Sequence, residues 1–313
     1  MDQIKNRIIA KIYDMSINFR LCLMGVNKCV VKKEDGIVYY EGGSKSNDTI
    51  VLIHGFADSK NGHLMVAKKL LFKYRVLIPD LPGFGDNTKN HQEKYSLSYM
   101  SDKVIELLNE KRLKKVHLLG NSLGGAVAME IASKAPELVN SLILVGSAGF
   151  YRSDIRTAQN EIFEGSYIFH VNSDHEFKKL VERVFAKPPK IPRFLFDYFS
   201  KDFQAQGKWY RKLLNDLTGG IPVDNVDEKL LRTSFNSKVK DFSMSTLLLW
   251  GEEDRVFPLE IGEFASTIVP NSKLKILKNA GHAPQHENLA DYMNELLVFL
   301  KESEGYNDLV GET

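Results

Sequence analysis

The stretch Leu118–Glu130, LLGNSLGGAVAME, sets one serine, Ser122, between Gly120 and Gly124, with a further glycine at 125. An apolar run leads into it and a helix-forming run leaves it. A glycine-rich turn joining a strand to a helix accounts for the glycines alone. A nucleophile elbow accounts for the serine too: the turn is so tight that only glycine fits on either side, and the serine oxygen is pushed outward. Which reading holds depends on whether the rest of the chain supplies a base and an acid in workable positions.

Working outward, short apolar runs alternate with helical ones. TIVLIHG (49–55), YRVLIPD (74–80), KVHLLG (115–120) and VNSLILVGSA (139–148) read as strands, and HLMVAKKLLF, SLSYMSDKVIELLNEKR and LGGAVAMEIASKA between them read as helices. The second of these is expected to be capped by a leading serine. Near-continuous apolar strands alternating with helices predict an α/β fold, a mostly parallel, doubly wound sheet covered on both faces. From 149 to 243 no strand is legible, and the segment is helical, aromatic and charged. The alternation resumes with STLLLWG (245–251), LEIGEFASTI, SKLKILKN and ENLADYMNELLVFLKE. The expected organisation is a core over 28–148 and 244–303, a helical lid inserted at 149–243, and a flexible tail at 304–313.

At the start of the core, NKCVVKKEDGIVYYEGG reads as a hairpin turning at Asp35-Gly36. Residues 1–27 read as a basic amphipathic helix. Seven Lys and Arg stand against two Asp between Met1 and Lys33, and Ile4, Ile8, Ile12, Met15 and Phe19 recur at helical spacing. Such a stripe either docks on the protein's own core or lies on an anionic membrane surface.

The bulk composition narrows the classes. The 313 residues are 43% hydrophobic and 26% charged, ordinary for a globular protein. A formal net charge of +2 gives no case for nucleic acid as a partner. Cys22 and Cys29 form neither CxxC nor zinc spacing, so they read as reduced thiols, which suits a cytoplasmic setting. No run approaches the roughly 20 apolar residues a membrane span needs, and the apolar run Leu21–Val26 is too short for a secretory signal.

A serine hydroxyl needs a base within hydrogen-bond reach, and the base needs an acid to orient it. In a doubly wound sheet such groups gather in loops at the carboxyl ends of strands. Ser122 follows KVHLLG, Asp254 follows TLLLWGEE, and His282 follows KLKILKNAG. The order Ser, Asp, His is that of the elbow hydrolases. His54-Gly55 ends the first parallel strand, so the backbone N–H groups of Phe56 and Leu123 are the expected oxyanion donors, with the His54 ring ordering that loop. His54, Asp80, Asp254 and His282 have no compact metal spacing, and the chemistry calls for no metal or organic cofactor.

With these residues in view, the chain resembles the α/β-hydrolase superfamily over residues 28–303, through HGF (54–56), DLPGFG (80–85), GNSLGG (120–125), WGEEDRVFP (250–258) and AGHAPQHE (280–287). It is most similar to the monoacylglycerol-lipase-like and carboxylesterase branch. The resemblance implies Ser122 as nucleophile, His282 as general base and Asp254, rather than Glu252 or Glu253, as the orienting acid. It also implies a structural role for Asp80, and His286 is expected in the first turn of the last helix. Serine at the elbow sets aside the aspartate-nucleophile branches. Carbon–carbon bond hydrolases of the meta-cleavage type remain the alternative, though Ala283 stands where they often carry an aromatic residue. A non-catalytic binding scaffold is the remaining alternative. Fourteen aromatic side chains between Phe150 and Tyr210 point to an apolar ester substrate, lipid-like, with peripheral membrane contact through residues 1–27.

Overall fold

The computed structural model describes residues 2–30, 36–166, 168, 169, 171–220, 222 and 224–310, without the side chains of 2–8 and 304–310. The chain begins with helix α1 (Asp2–Met24), then strands β1 (Asn27–Val30), β2 (Val38–Gly42) and β3 (Thr49–Ile53), helix α2 (Leu64–Leu70), β4 (Arg75–Pro79), α3 (Leu97–Glu110), β5 (Val116–Asn121), α4 (Leu123–Lys134) and β6 (Val139–Val145). Five helices follow: α5 (Ala158–Phe163), α6 (Asp174–Val184), α7 (Arg193–Ala205), α8 (Gly207–Thr218) and α9 (Val226–Thr233). The chain closes with β7 (Ser245–Gly251), α10 (Leu259–Ile268), β8 (Ser272–Leu277), α11 (Pro284–Glu287) and α12 (Leu289–Val310).

The strands form one sheet in the order β1-β2-β4-β3-β5-β6-β7-β8. β3 to β8 run parallel, and β1 and β2 are added antiparallel at one edge. Every residue of β3, β4 and β5 is buried, as an apolar strand with helices on both faces must be. The edge strand β8 instead alternates, and its Lys273 and Lys275 pair with Glu302 and Glu295 of α12. Charge on an outer strand blocks sheet-to-sheet association. One face is covered by α3, α4 and α10, where Met100, Val104, Val127, Ile131, Ile261 and Ala265 join a single apolar cluster. The other is covered by α1, α2 and α12 through Ile17, Leu21, Leu64, Leu70, Leu296 and Phe299. Ser96 caps α3, its hydroxyl accepting the Tyr99 N–H at 3.1 Å.

β1 pairs with β2 antiparallel from Asn27 opposite Glu41 to Val30 opposite Val38; Asp35 of the expected turn lies outside the described residues. Between β6 and β7 there is no strand among the described residues. The insertion is not a detached body: Trp209 and Leu213 of α8 join the apolar cluster under the sheet, and the Trp209 indole donates to the Gly83 carbonyl at 2.7 Å.

Three expectations need correcting. First, α1 buries a different stripe from the one the spacing singled out. Ile9, Ile17 and Leu21 are buried, whereas Ile12, Met15 and Phe19 face outward; the side chains of Ile4 and Ile8 are outside the described residues. The helix is apolar on two opposite stripes, and a periodicity count finds either. Second, the helical backbone of α12 continues to Val310, through most of the segment expected as a tail from 304. Residues 304–310 contain no proline, and their one glycine, Gly305, costs a helix only about 1 kcal/mol. Third, His286 lies in the separate short helix α11, which Pro284 starts and which ends before α12 begins.

Candidate active site

The elbow is built by backbone geometry. β5 ends at Asn121 and α4 begins at Leu123, so Ser122 alone makes the turn, at φ 55° and ψ −118°. A non-glycine residue in this strained region is uncommon and needs its surroundings to hold it there. The Ser122 N–H donates to the Val145 carbonyl (2.9 Å), and its own carbonyl accepts from Gly125 (3.0 Å) and Ala148 (3.1 Å). A Cβ on Gly120 would collide with the Gly124 carbonyl, and one on Gly124 with the Ile53 carbonyl. The two glycines flanking Ser122 are therefore required by close backbone approach.

The acid and base come from the ends of β7 and β8. Asp254 is almost fully buried; its Oδ1 accepts the N–H groups of Val256 (2.8 Å) and Phe257 (2.9 Å), which fixes the carboxylate plane. Its Oδ2 accepts from Nδ1 of His282 at 2.8 Å. A carboxylate only accepts, so the proton of neutral His282 resides on Nδ1 and its Nε2 is left with a free lone pair. Ser122 and His282 line the same cavity of about 280 Å³, together with Gly55, Phe56 and Phe169. A second, larger cavity of about 380 Å³ also reaches Ser122, lined by Leu123, Ala126, Ile162, Leu217 and Phe235 among others. Phe56, Phe169 and Val256 border both.

The loop after β3 is tied by His54 and Lys60. The Leu81 N–H donates to Nε2 of His54 (2.9 Å), so Nδ1 carries the ring proton and donates to the Gly55 carbonyl (2.7 Å). A trans peptide is planar with its C=O and N–H opposed. Holding the Gly55 oxygen against His54 therefore turns the Phe56 N–H the other way. Lys60 and Asp80 are both buried. Asp80 accepts the Lys60 N–H (2.8 Å), the Lys60 ammonium (2.6 Å) and the Asp86 N–H (2.8 Å). With these three donors Asp80 knots two loops together.

Three supporting residues carried no assigned role in the sequence reading. Asn121 donates to the Val145 carbonyl (2.9 Å) and to the His282 carbonyl (3.4 Å), tying the serine strand to the histidine loop. Gly146, at φ +46°, sits where a Cβ would lie 3.0 Å from Asp254 Oδ2 and 3.1 Å from His282 Nδ1. Its signal was the glycine directly after the VNSLILV strand. Glu287 accepts the Gly281 N–H (2.6 Å) and the Lys187 N–H (3.0 Å), while the His282 N–H donates to the Val184 carbonyl (2.8 Å). The end of α6 is thereby strapped onto the histidine loop. The Glu287 contact with Gly281 is local, but no linear signal marks the contact with Lys187, 100 residues away along the chain. Among the described residues no cluster of His, Cys, Asp and Glu has the geometry of a metal site.

Of the aromatic residues in the insertion, Phe169, Phe177, Phe185 and Phe203 reach the first cavity and Phe163 lines the second, while Phe150 and Trp209 are buried in packing. Phe169 stacks on Phe56 at 4.6 Å between ring centroids. Tyr167 is outside the described residues.

A family model described as the alpha/beta hydrolase fold matches residues 48–289. Lipase 1 of Psychrobacter immobilis is 30% identical over 267 residues, 85% of this chain and 80% of that protein. Lipase 3 of Moraxella sp. (strain TA144) is 29% identical over 276 residues, 88% of this chain and 84% of its own. Among solved structures, a membrane phospholipase A described as a bacterial virulence factor superposes with a TM-score of 0.84 at 28% identity, covering 95% of this chain and 93% of the other.

Proposed function

Because the chain belongs to the α/β-hydrolase family, we propose that it is a serine hydrolase cleaving carboxylic esters of apolar acyl groups, monoacylglycerol-type esters included, through an acyl-enzyme on Ser122. The observation that carries this reading is the buried Asp254–His282 hydrogen bond opening onto the same cavity as a serine held at positive φ. The two relatives that are lipases support the ester class.

In this mechanism Ser122 Oγ attacks the ester carbonyl while His282 Nε2 takes its proton. The N–H groups of Phe56 and Leu123 donate to the oxyanion; removing one such donor typically costs about 10²–10³ in rate. His282 then protonates the departing alcohol. A water deprotonated by the same imidazole attacks the acyl-enzyme and releases the acid. Asp254 keeps His282 in the required tautomer and stabilises its cation. The larger cavity, with Leu123, Ala126, Ile162, Leu217 and Phe235 in its wall, suits the acyl chain, and the cavity lined by His282 suits the leaving alcohol. The groups act without a metal ion or organic cofactor.

The test is hydrolysis of a p-nitrophenyl ester series from acetate to palmitate, with Ser122→Ala alongside and a fluorophosphonate label read by mass spectrometry. Turnover and a label on Ser122, both absent in the variant, are the expected result. Turnover that survives the substitution would remove Ser122 from the mechanism. No turnover along the series would overturn the ester reading in favour of carbon–carbon bond hydrolysis or a binding role.

A further inference from the structure

We propose that α1 is an interfacial docking helix that seats the protein on an anionic lipid bilayer, with Ile12, Met15, Phe19 and Leu23 in the headgroup–acyl boundary. These four side chains are 61%, 69%, 65% and 71% exposed. Four large apolar residues on one stripe of one helix are an unpartnered surface, not scattered exposure. The helix is already held on its opposite stripe, through Ile17 and Leu21 in the cluster with Leu70 and Val26, so the outward stripe is not needed for folding.

Charge around the stripe selects the occupant. At about 100° per residue, Lys11 and Arg20 fall roughly 90° to either side of the stripe's centre. Asp14 falls roughly 145° away, towards the protein, where its charge acts on Tyr40. The stripe is thus bordered by cations on both sides, the arrangement that lets basic side chains reach the headgroups while apolar ones insert. Among the α1 residues whose side chains are described, no carboxylate borders the stripe, so a second copy meeting it would set cation beside cation. Among the described residues no helix is long and apolar enough to cross a membrane, so α1 lies on the surface instead of spanning it.

The helix also adjoins the cavity. Tyr13, on its protein side, meets Phe199 of α7 edge-on at 5.9 Å, and burial together with the nearby Asp58 carboxylate raises its phenol pKa. Asp58 lines the cavity of Ser122 and His282. Docking through α1 therefore brings that rim of the cavity towards the lipid surface, from which an acyl ester would enter. This delivery step rests on the ester-hydrolase reading; the docking itself does not.

The experiment uses the full chain and sedimentation with vesicles of phosphatidylcholine, with or without about one third phosphatidylglycerol. Wild type is expected to sediment with the anionic vesicles. Met15→Glu/Phe19→Glu should bind at least tenfold less. Lys11→Gln/Arg20→Gln should lose about fivefold in affinity per cation removed, on anionic vesicles only. In both variants thermal midpoint and turnover of a water-soluble ester should stay within twofold of wild type or within a degree or two, respectively for turnover and midpoint. Wild type that stays in the supernatant overturns the proposal, as does an M15E/F19E protein that sediments like wild type. A dimer in solution that M15E/F19E dissociates, without vesicle binding, overturns it in favour of self-association. Vesicle binding without ester turnover would defeat the hydrolase reading and leave the docking standing; turnover without vesicle binding would do the reverse.

Discussion

The two halves of the cavity around Ser122 are made differently. On the strand-end half, each chemical group is fixed by hydrogen bonds with the backbone: Ser122 by main-chain bonds with Val145, Gly125 and Ala148, Asp254 by two N–H groups, and the Gly55 carbonyl by the His54 ring. On the insertion half, the lining is aromatic side chains in edge and tilted contacts, such as Phe177 with Phe196 and Phe203 with Tyr210. Backbone hydrogen bonds are directional and fix positions to fractions of an ångström, as oriented catalysis requires. Aromatic packing is broad and tolerates exchange. The comparison assigns rate to one half and selectivity to the other, and substitutions on each side can break it.

The largest effect is expected from Ser122→Ala. Ester turnover should fall by about 10⁴-fold or more, since removing the nucleophile leaves only the oxyanion donors and binding, while the melting temperature stays equal or rises as strain at φ 55° is unchanged and the hydroxyl is lost. Kinetics and a thermal melt on the same preparation check both. Next is Gly146→Ala, which alters no reacting group. Its Cβ would press on the Asp254–His282 pair and its φ would be strained by about 1–3 kcal/mol. Displacing that pair should lower kcat by about 10²-fold. A Gly146→Ala enzyme with wild-type kcat would show that the strand-end half tolerates looseness after all.

A third substitution separates stability from rate. His63 is buried just beyond the Phe56 loop, and burial lowers its pKa to about 4. The folded state thus holds it neutral, while an unfolded imidazole titrates near 6.5. Because the folded pKa is the lower one, its contribution is complete above pH 6.5 and is lost as pH falls towards 4, up to about 3 kcal/mol. His63→Leu should flatten that stretch of the acid limb, measured by urea unfolding at pH 7 and pH 4.5, and leave kcat at pH 7 within about threefold. An unchanged acid limb would mean that other groups govern it.

The same division explains what was legible in the sequence. The elbow, the strand order leading to Asp254 and His282, and the Ser96 cap are local patterns, in which a few adjacent residues specify a backbone shape. Asn121, Gly146 and Glu287 act across strands and loops distant in sequence, so linear spacing holds no trace of their partners. Among the insertion's aromatic residues, composition gave the character of the lining but not its members, because Phe163, Phe169, Phe177, Phe185 and Phe203 reach the two cavities while Phe150 and Trp209 do not. On α1 the period was legible but not which stripe is buried: both stripes fit a helix, the outward position of Ile12, Met15 and Phe19 excludes only the core-docking alternative, and the packing of Ile17 and Leu21 decides it.

The smallest effect on rate, and the sharpest test of the comparison, is expected from Phe169→Ala. Phe169 belongs to the insertion, borders both cavities and rests on the Phe56 ring. Truncating it removes the wall between spaces of about 280 and 380 Å³ without touching the backbone of residues 55–57 or the Asp254–His282 bond. If the insertion half governs selectivity, the preferred acyl chain should lengthen. The ratio of kcat/KM for a long over a short ester should rise several-fold, within the roughly 1–3 kcal/mol that apolar pocket contacts command. On the best short ester, kcat should change by less than about threefold. A uniform loss of kcat at every chain length would instead mean that Phe169 acts through Phe56 on the oxyanion loop. The aromatic contact between the halves would then carry rate as well as fit, and the division drawn between them would have to move inward to the Phe56 ring.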